Sequence, residues 1–176
     1  MPRRFFHRHQ APACIPCWAK AGLGSTAAFV VAALLGDLAG ASTIVAPMGA
    51  SAVLIYGVPE SPLSQPAHVI GGHVIAAIVA ILSDRYLPHG PWTLAATVSF
   101  VIFLLGLLRL THPPAGATAL VVMLTHPGWA FVFTPVLAGA VTLVAVAVIV
   151  HWIPPRVIYP LPPPTPIPAE AGADGE

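Results

Sequence analysis

Apolar positions along this chain do not alternate with polar ones; they run together. Four stretches, near residues 22–41, 68–87, 92–110 and 130–152, carry almost no charge, and each approaches the roughly 20 residues a helix needs to cross a bilayer core. Two thinner apolar stretches, 42–57 and 109–126, lie between them and contain helix breakers. The first holds PMGASAVL at positions 47–54 and the second PAGATALV at 114–121, with proline, glycine and alanine in the same places.

The likeness extends beyond these two strings. At a constant offset of 67 residues, Pro47, Gly49, Ala50 and Ala52 match Pro114, Gly116, Ala117 and Ala119, and Ser51 faces Thr118. Val69, Gly72, Val74, Val79 and Ala80 match Val136, Gly139, Val141, Val146 and Ala147 without a gap. Matches of Val and Ala are cheap in apolar sequence, whereas the Pro and Gly pairs are not, so the pattern reads as an internal duplication of the kind transporters carry. Each repeat is a span, a broken segment and a span, with halves of about 22–87 and 88–152. The expected fold is an all-α membrane protein with four transmembrane helices and two re-entrant half-helices dipping from the outer face. The alternative counts the broken segments as thin crossings, giving six spans and an inverted repeat.

Non-helical chain at membrane depth persists only where protein buries it or where it lines a wet cavity. A paired break therefore points to a polar pathway. If both half-helices start near the midplane, their free N–H groups and positive dipole ends converge on a site suited to a small anion, and Ser51 and Thr118 add hydroxyls one turn in. The competing explanation makes Gly49, Ala50, Gly116 and Ala117 small residues for close helix packing, which leaves the two prolines unexplained.

Composition agrees with a membrane domain and with no soluble one. Of 176 residues, 57% are hydrophobic and 7% charged, and the mean hydropathy is +0.85. The first apolar stretch is too long for a signal peptide and lacks a convincing cleavage site. A net charge of +1 without a basic run gives no argument for nucleic acid. Arg3, Arg4, Arg8 and Lys20 precede the first span, so residues 1–21 read as a basic cytoplasmic segment. The 57–67 loop, with Glu60 and no Lys or Arg, suits the outside; Arg85 and Arg156 mark turns inside. Residues 153–176, rich in proline and then small and acidic, read as a disordered tail.

His112 and His73 are ionisable groups at membrane depth, where such residues are costly and usually functional. Arg109 ends the third apolar run and can concentrate anions, or can snorkel or pair with Asp37. Gln65 sits in the outer loop, where its amide can select or fasten. Cys14 and Cys17 form a C-x-x-C pair with His7 and His9 upstream, a set zinc accepts, but reduced cytoplasmic thiols are the default. No metal or other cofactor is expected. No nucleophile–base pair or phosphate loop stands out, so the chain does not read as an enzyme.

The stretch RLTHPPAGATAL, residues 109–120, contains the triplet His112, Pro113, Pro114, and with APMGASAVL at 46–54 and SPLSQPAHVIGGH at 61–73 it resembles the HPP family of integral membrane proteins. The resemblance implies a four-helix membrane bundle and, through plastid and cyanobacterial relatives, nitrite transport. The expected function is thus a small-anion transporter or channel, most simply for nitrite, in the bacterial inner membrane. Its pathway is lined by Pro47, Gly49, Ser51, Gln65, His73, Arg109, His112, Pro113, Pro114, Gly116 and Thr118. The expected partners are the lipid bilayer, a small anion and further copies of the chain, because four spans enclose little space. A non-transporting anchor or sensor module is the alternative.

Overall fold

The computed structural model describes His7, Pro12 and residues 14–163. Among the described residues there is no strand: six α-helices follow one another, α1 (Ile15–Ala39), α2 (Pro47–Gly57), α3 (Pro66–Tyr86), α4 (Pro91–Leu107), α5 (Pro113–Thr125) and α6 (Ala138–Trp152). Three helical stretches are long and apolar enough to cross a membrane, Ile15–Ala39, Pro66–Tyr86 and Val132–Trp152, while α2, α4 and α5 are apolar but shorter.

Proline decides where most of these helices begin. Each of α1 to α5 has one in its first two positions, where the ring fixes a helical φ and the missing N–H would have had no partner anyway. Gly40, at φ 62°, ends α1 in the left-handed conformation that glycine adopts most cheaply. Before α6 the chain makes a wide turn over Val132–Leu137, with Thr134 extended and Pro135 interrupting the ladder.

Close approaches fix the helix directions. Trp18 lies against Gly57, and Gly24 against Tyr56 and Val150, so α1 runs opposite to both α2 and α6. Ser51 meets His73 across the α2–α3 hairpin. Gly72 touches His112 and Ala115, His73 bonds Thr118, and Asp84 meets His126, so α3 and α5 run side by side in the same sense. Successive helices therefore alternate in direction. One end of the bundle collects the start of α1, the α2–α3 connection and the ends of α4 and α6. The other collects the end of α1, the α3–α4 connection and the end of α5.

This arrangement differs from the expectation in two respects. The 57–67 loop, expected on the opposite face, shares the end where α1 starts and the chain leaves α6: Lys20 Nζ donates to Ile153 O at 3.3 Å, and Tyr159 Oη donates to Ser64 O at 3.0 Å. The reason lies in the chain after α1, which turns back along that helix, with Thr43 Oγ1 donating to Ala32 O. It then continues through α2 to the end where α1 began. The tail also differs. Tyr159 is buried and Leu161 N donates to Gln65 Oε1 at 2.9 Å, so the chain packs against the bundle beyond Pro154; residues 164–176 lie outside the described ones.

Two apolar cores result. One joins α1, α2 and α6 with Tyr159; the other joins α3, α4, α5 and the turn before α6. Alanines at the helix contacts, among them Ala28, Ala32, Ala76, Ala77 and Ala80, are fully buried, as expected where small residues let helices approach closely. Large apolar side chains such as Leu23, Leu34, Trp92 and Phe103 point outward, where a bilayer accepts them.

Candidate functional site

Four polar side chains meet where the two Pro/Gly-opened helices adjoin α3. Ser51 comes from the second turn of α2, His73 from α3, Thr118 from α5, and His112 caps the start of α5. All four are essentially inaccessible to solvent. Leu63 O lies 2.8 Å from His112 Nδ1, His112 Nε2 lies 2.9 Å from Ser51 Oγ, Ser51 Oγ lies 2.8 Å from His73 Nε2, and His73 Nδ1 lies 2.7 Å from Thr118 Oγ1. The two rings meet edge to face, with centroids 5.0 Å apart.

One carbonyl sets the direction of the whole chain. Leu63 O can only accept, so His112 Nδ1 carries a proton and, in the neutral ring, Nε2 is an acceptor. Ser51 then donates to His112 and accepts from His73 Nε2–H, which leaves His73 Nδ1 to accept from the Thr118 hydroxyl. Every ring nitrogen is satisfied and every hydrogen bond points the same way, from Thr118 towards Leu63. Ser51 Oγ also lies 3.4 Å from Pro47 O, a longer and weaker alternative acceptor.

Local sequence explains the placement. Pro113 and Pro114 open α5 immediately after His112, holding its backbone extended (φ −138°, ψ 103°), as a residue before proline prefers. Gly72 makes room for it: a Cβ there would lie 3.0 Å from His112 Cβ and 3.3 Å from Leu110 O. Gly49 and Gly116 differ, since a Cβ at either meets nothing within 4 Å. Close packing inside this chain does not account for them.

The expected cradle of free backbone donors is absent from the first three positions of both helices. Pro47, Pro113 and Pro114 have no N–H; Met48 N and Gly49 N bond Val45 O and Ala46 O, and Ala115 N bonds His112 O. Two further expected residues stand apart from the cluster. Gln65 Nε2 donates to Pro59 O and Ser61 O, both at 2.9 Å, fastening the loop. Arg109 is exposed at φ 54°, at the bundle end opposite Asp37. With the two residues at opposite ends of the bundle, the Arg109–Asp37 pairing does not form.

Cys14 and Cys17 are joined as a disulfide, rather than held as two thiols. Cys14 caps α1 and Cys17 lies in its first turn, three residues on, where side chains share a face. The pair therefore offers no thiolate to a metal, and His9 lies outside the described residues. His151 had no place in the sequence reading: it is buried in α6, its Nε2 donates to Ile55 O at 2.9 Å, and its Nδ1 has no hydrogen-bond partner. Its position at the end of an apolar run gave no signal. Asp84, His89 and His126, near the other end of α3, were also missed; their ligand atoms lie within 4.8 Å of one another.

Comparison with known proteins agrees with the membrane character of the chain. The family model described as "HPP, transmembrane region" matches residues 10–160. Two proteins of Dictyostelium discoideum, each named only as a transmembrane protein, are similar: one is 35% identical over 67% of this chain and 44% of its own length, the other 34% identical over 64% and 39%. The chain thus spans less than half the length of these curated relatives. No solved structure matches it.

Proposed function

This chain belongs to the HPP transmembrane family, and from that premise we propose that it is a multi-pass carrier moving a small anion together with a proton, with nitrite the candidate that the family resemblance supplies. The observation carrying the proposal is the continuous buried chain from Thr118 through His73, Ser51 and His112 to Leu63 O. Ionisable groups inside an apolar bundle are costly to keep and mark ion and proton routes.

The geometry suits proton transfer between the rings. A proton reaching His73 Nδ1 from the Thr118 side releases the one on Nε2 to Ser51 Oγ, whose own proton passes to His112 Nε2. His112 then holds two N–H groups and carries the positive charge, its Nδ1–H still donating to Leu63 O. A proton on the pair gives a compensating charge for an anion entering between the broken helices. Arg109 concentrates anions at the mouth, and Pro47, Gly49, Pro113, Pro114 and Gly116 form the flanking breaks. Gln65 fastens the adjacent loop. No catalytic chemistry is part of this reading.

For the topology we favour six alternating crossings in an inverted repeat over four spans with two re-entrant half-helices. The alternating directions and the shared end of the 57–67 loop, the start of α1 and the end of α6 support it. Lys20, Arg109 and Arg156 at that end, against Arg85 at the other, favour a cytoplasmic assignment for it. The Cys14–Cys17 disulfide pulls the other way, because a reducing cytosol keeps such pairs open. The basic residues weigh more, since a C-x-x-C pair at a helix start opens without moving the fold. Residence in a bacterial inner membrane and assembly into a homo-oligomer belong to the same proposal.

A second reading keeps the domain as a membrane anchor or sensor within a longer protein. It is favoured by the greater length of the two relatives and by a polar chain whose nitrogens are all occupied. Nitrite uptake into proteoliposomes separates the two: flux above empty liposomes that falls with His112→Ala supports the carrier, and no flux for nitrite or similar anions supports the anchor.

A further inference from the structure

At the bundle end formed by the α3–α4 connection and the end of α5, three side chains converge that the buried histidine chain does not involve. Asp84 stands in the last turn of α3, His89 in the connection to α4, and His126 just after α5. His126 Nδ1 lies 2.6 Å from Asp84 Oδ1, and His89 Nε2 lies 3.3 Å from the same oxygen and 2.9 Å from Asp84 O. The two rings stack, with centroids 4.6 Å apart and planes 14° from parallel. Each residue offers one ligand atom, and the three atoms lie within 4.8 Å of one another.

We propose that Asp84, His89 and His126 form a binding site for a divalent transition-metal cation of the zinc type. Tetrahedral zinc, with bonds of about 2.0–2.1 Å to nitrogen and oxygen, holds its ligand atoms about 3.3 Å apart. The separations of 2.6 and 3.3 Å from Asp84 Oδ1, with all three ligand atoms within 4.8 Å of one another, lie close to that value, so side-chain rotation brings the donors into place. Two imidazoles with one carboxylate suit zinc, nickel, copper or cobalt, whereas magnesium and calcium favour all-oxygen sets. For binding, each ring presents the lone pair of the nitrogen that now faces Asp84 and carries its proton on the other nitrogen.

The surroundings fit such a role. The histidine side chains are 58% and 48% exposed while that of Asp84 is 13% exposed, giving a held carboxylate behind two ligands with an open entry path. A cavity of about 320 Å³ lined by both histidines, Leu94 and Met123 leaves room for a water or a small ligand in a fourth position. His126 adopts a left-handed backbone at φ 50°, where glycine or asparagine would be the cheaper residue. A metal here would tie together the end of α3, the start of α4 and the end of α5.

The test is a Zn²⁺ titration of the full chain, purified in detergent with any affinity tag removed, followed by calorimetry and by thermal unfolding. The same protein with Co²⁺ gives the visible absorption of a low-coordinate site. Expected are one equivalent bound, a raised unfolding temperature, and an affinity at least tenfold weaker in Asp84→Asn and His126→Gln. His89→Gln, in an exposed connection, gives the same loss without a folding defect and is checked by gel filtration. No saturable binding by the wild-type chain overturns the proposal, as does binding that persists unchanged in all three variants.

Discussion

Ser51 and Thr118 hold opposite nitrogens of one ring, that of His73, at 2.8 and 2.7 Å. They occupy matching positions in the two repeats, one in each Pro/Gly-opened helix, so the internal likeness of the sequence is expressed as a two-sided grip on a buried histidine. Because Ser51 also serves His112, it is the shared member of the chain. Ser51→Ala leaves His73 Nε2–H and His112 Nε2 without partners, each orphaned buried group costing about 1–3 kcal/mol. Thr118→Val orphans only His73 Nδ1. Unfolding of the purified protein is expected to show the larger loss for Ser51→Ala; an equal or smaller loss contradicts its place as the partner of both rings.

Much of this site was legible beforehand. Ser51 and Thr118 followed from the repeat, and His73 and His112 from being ionisable among apolar neighbours. Their joining through Ser51 was not, because the partners are 22 and 61 residues away in sequence and no periodicity links them. The direction of α2 is hidden in the sequence because residues 42–45 are non-helical chain returning along α1, which hydropathy does not distinguish from a dip. Nothing in the sequence links Asp84 to His89 and His126, which stand 5 and 42 residues away at helix ends and meet only through the packing of α3 on α5.

The glycines offer a contrast within one chain. Gly72→Ala places a methyl against His112 and the Leu110 carbonyl, an overpacking expected to cost about 1–3 kcal/mol and to displace the His112 ring. Gly49→Ala and Gly116→Ala meet nothing within 4 Å, so each is expected to be neutral or stabilising by up to about 1 kcal/mol through helix propensity. Thermal unfolding of the three variants checks this; a large loss at Gly49 or Gly116 would instead point to a contact between copies of the chain.

The alternating helix directions make a labelling prediction. In a Cys14→Ser, Cys17→Ser background, single cysteines replacing Glu60 and Arg156 are expected to react with a membrane-impermeant thiol reagent from the same side, and one replacing His89 from the other. Labelling of positions 60 and 156 from opposite sides would restore the four-span arrangement.

Gln65 ties the α2–α3 connection to the tail through Leu161 N. Gln65→Ala is expected to free the tail near Leu161, read as faster proteolysis there, while leaving anion flux within about twofold of wild type, since the amide bonds only loop carbonyls and the tail. A loss of flux with an intact tail contact would give Gln65 a part in the pathway instead.

The most direct test of the account is simultaneous recording of nitrite uptake and internal pH in proteoliposomes containing wild-type protein, Ser51→Ala or no protein. The wild type is expected to acidify the lumen in step with nitrite entry, at a rate above that of empty liposomes, and Ser51→Ala, confirmed folded, to lose both signals together by at least tenfold. Nitrite entry that continues in Ser51→Ala at the wild-type rate, or that proceeds in the wild type without a proton, contradicts it.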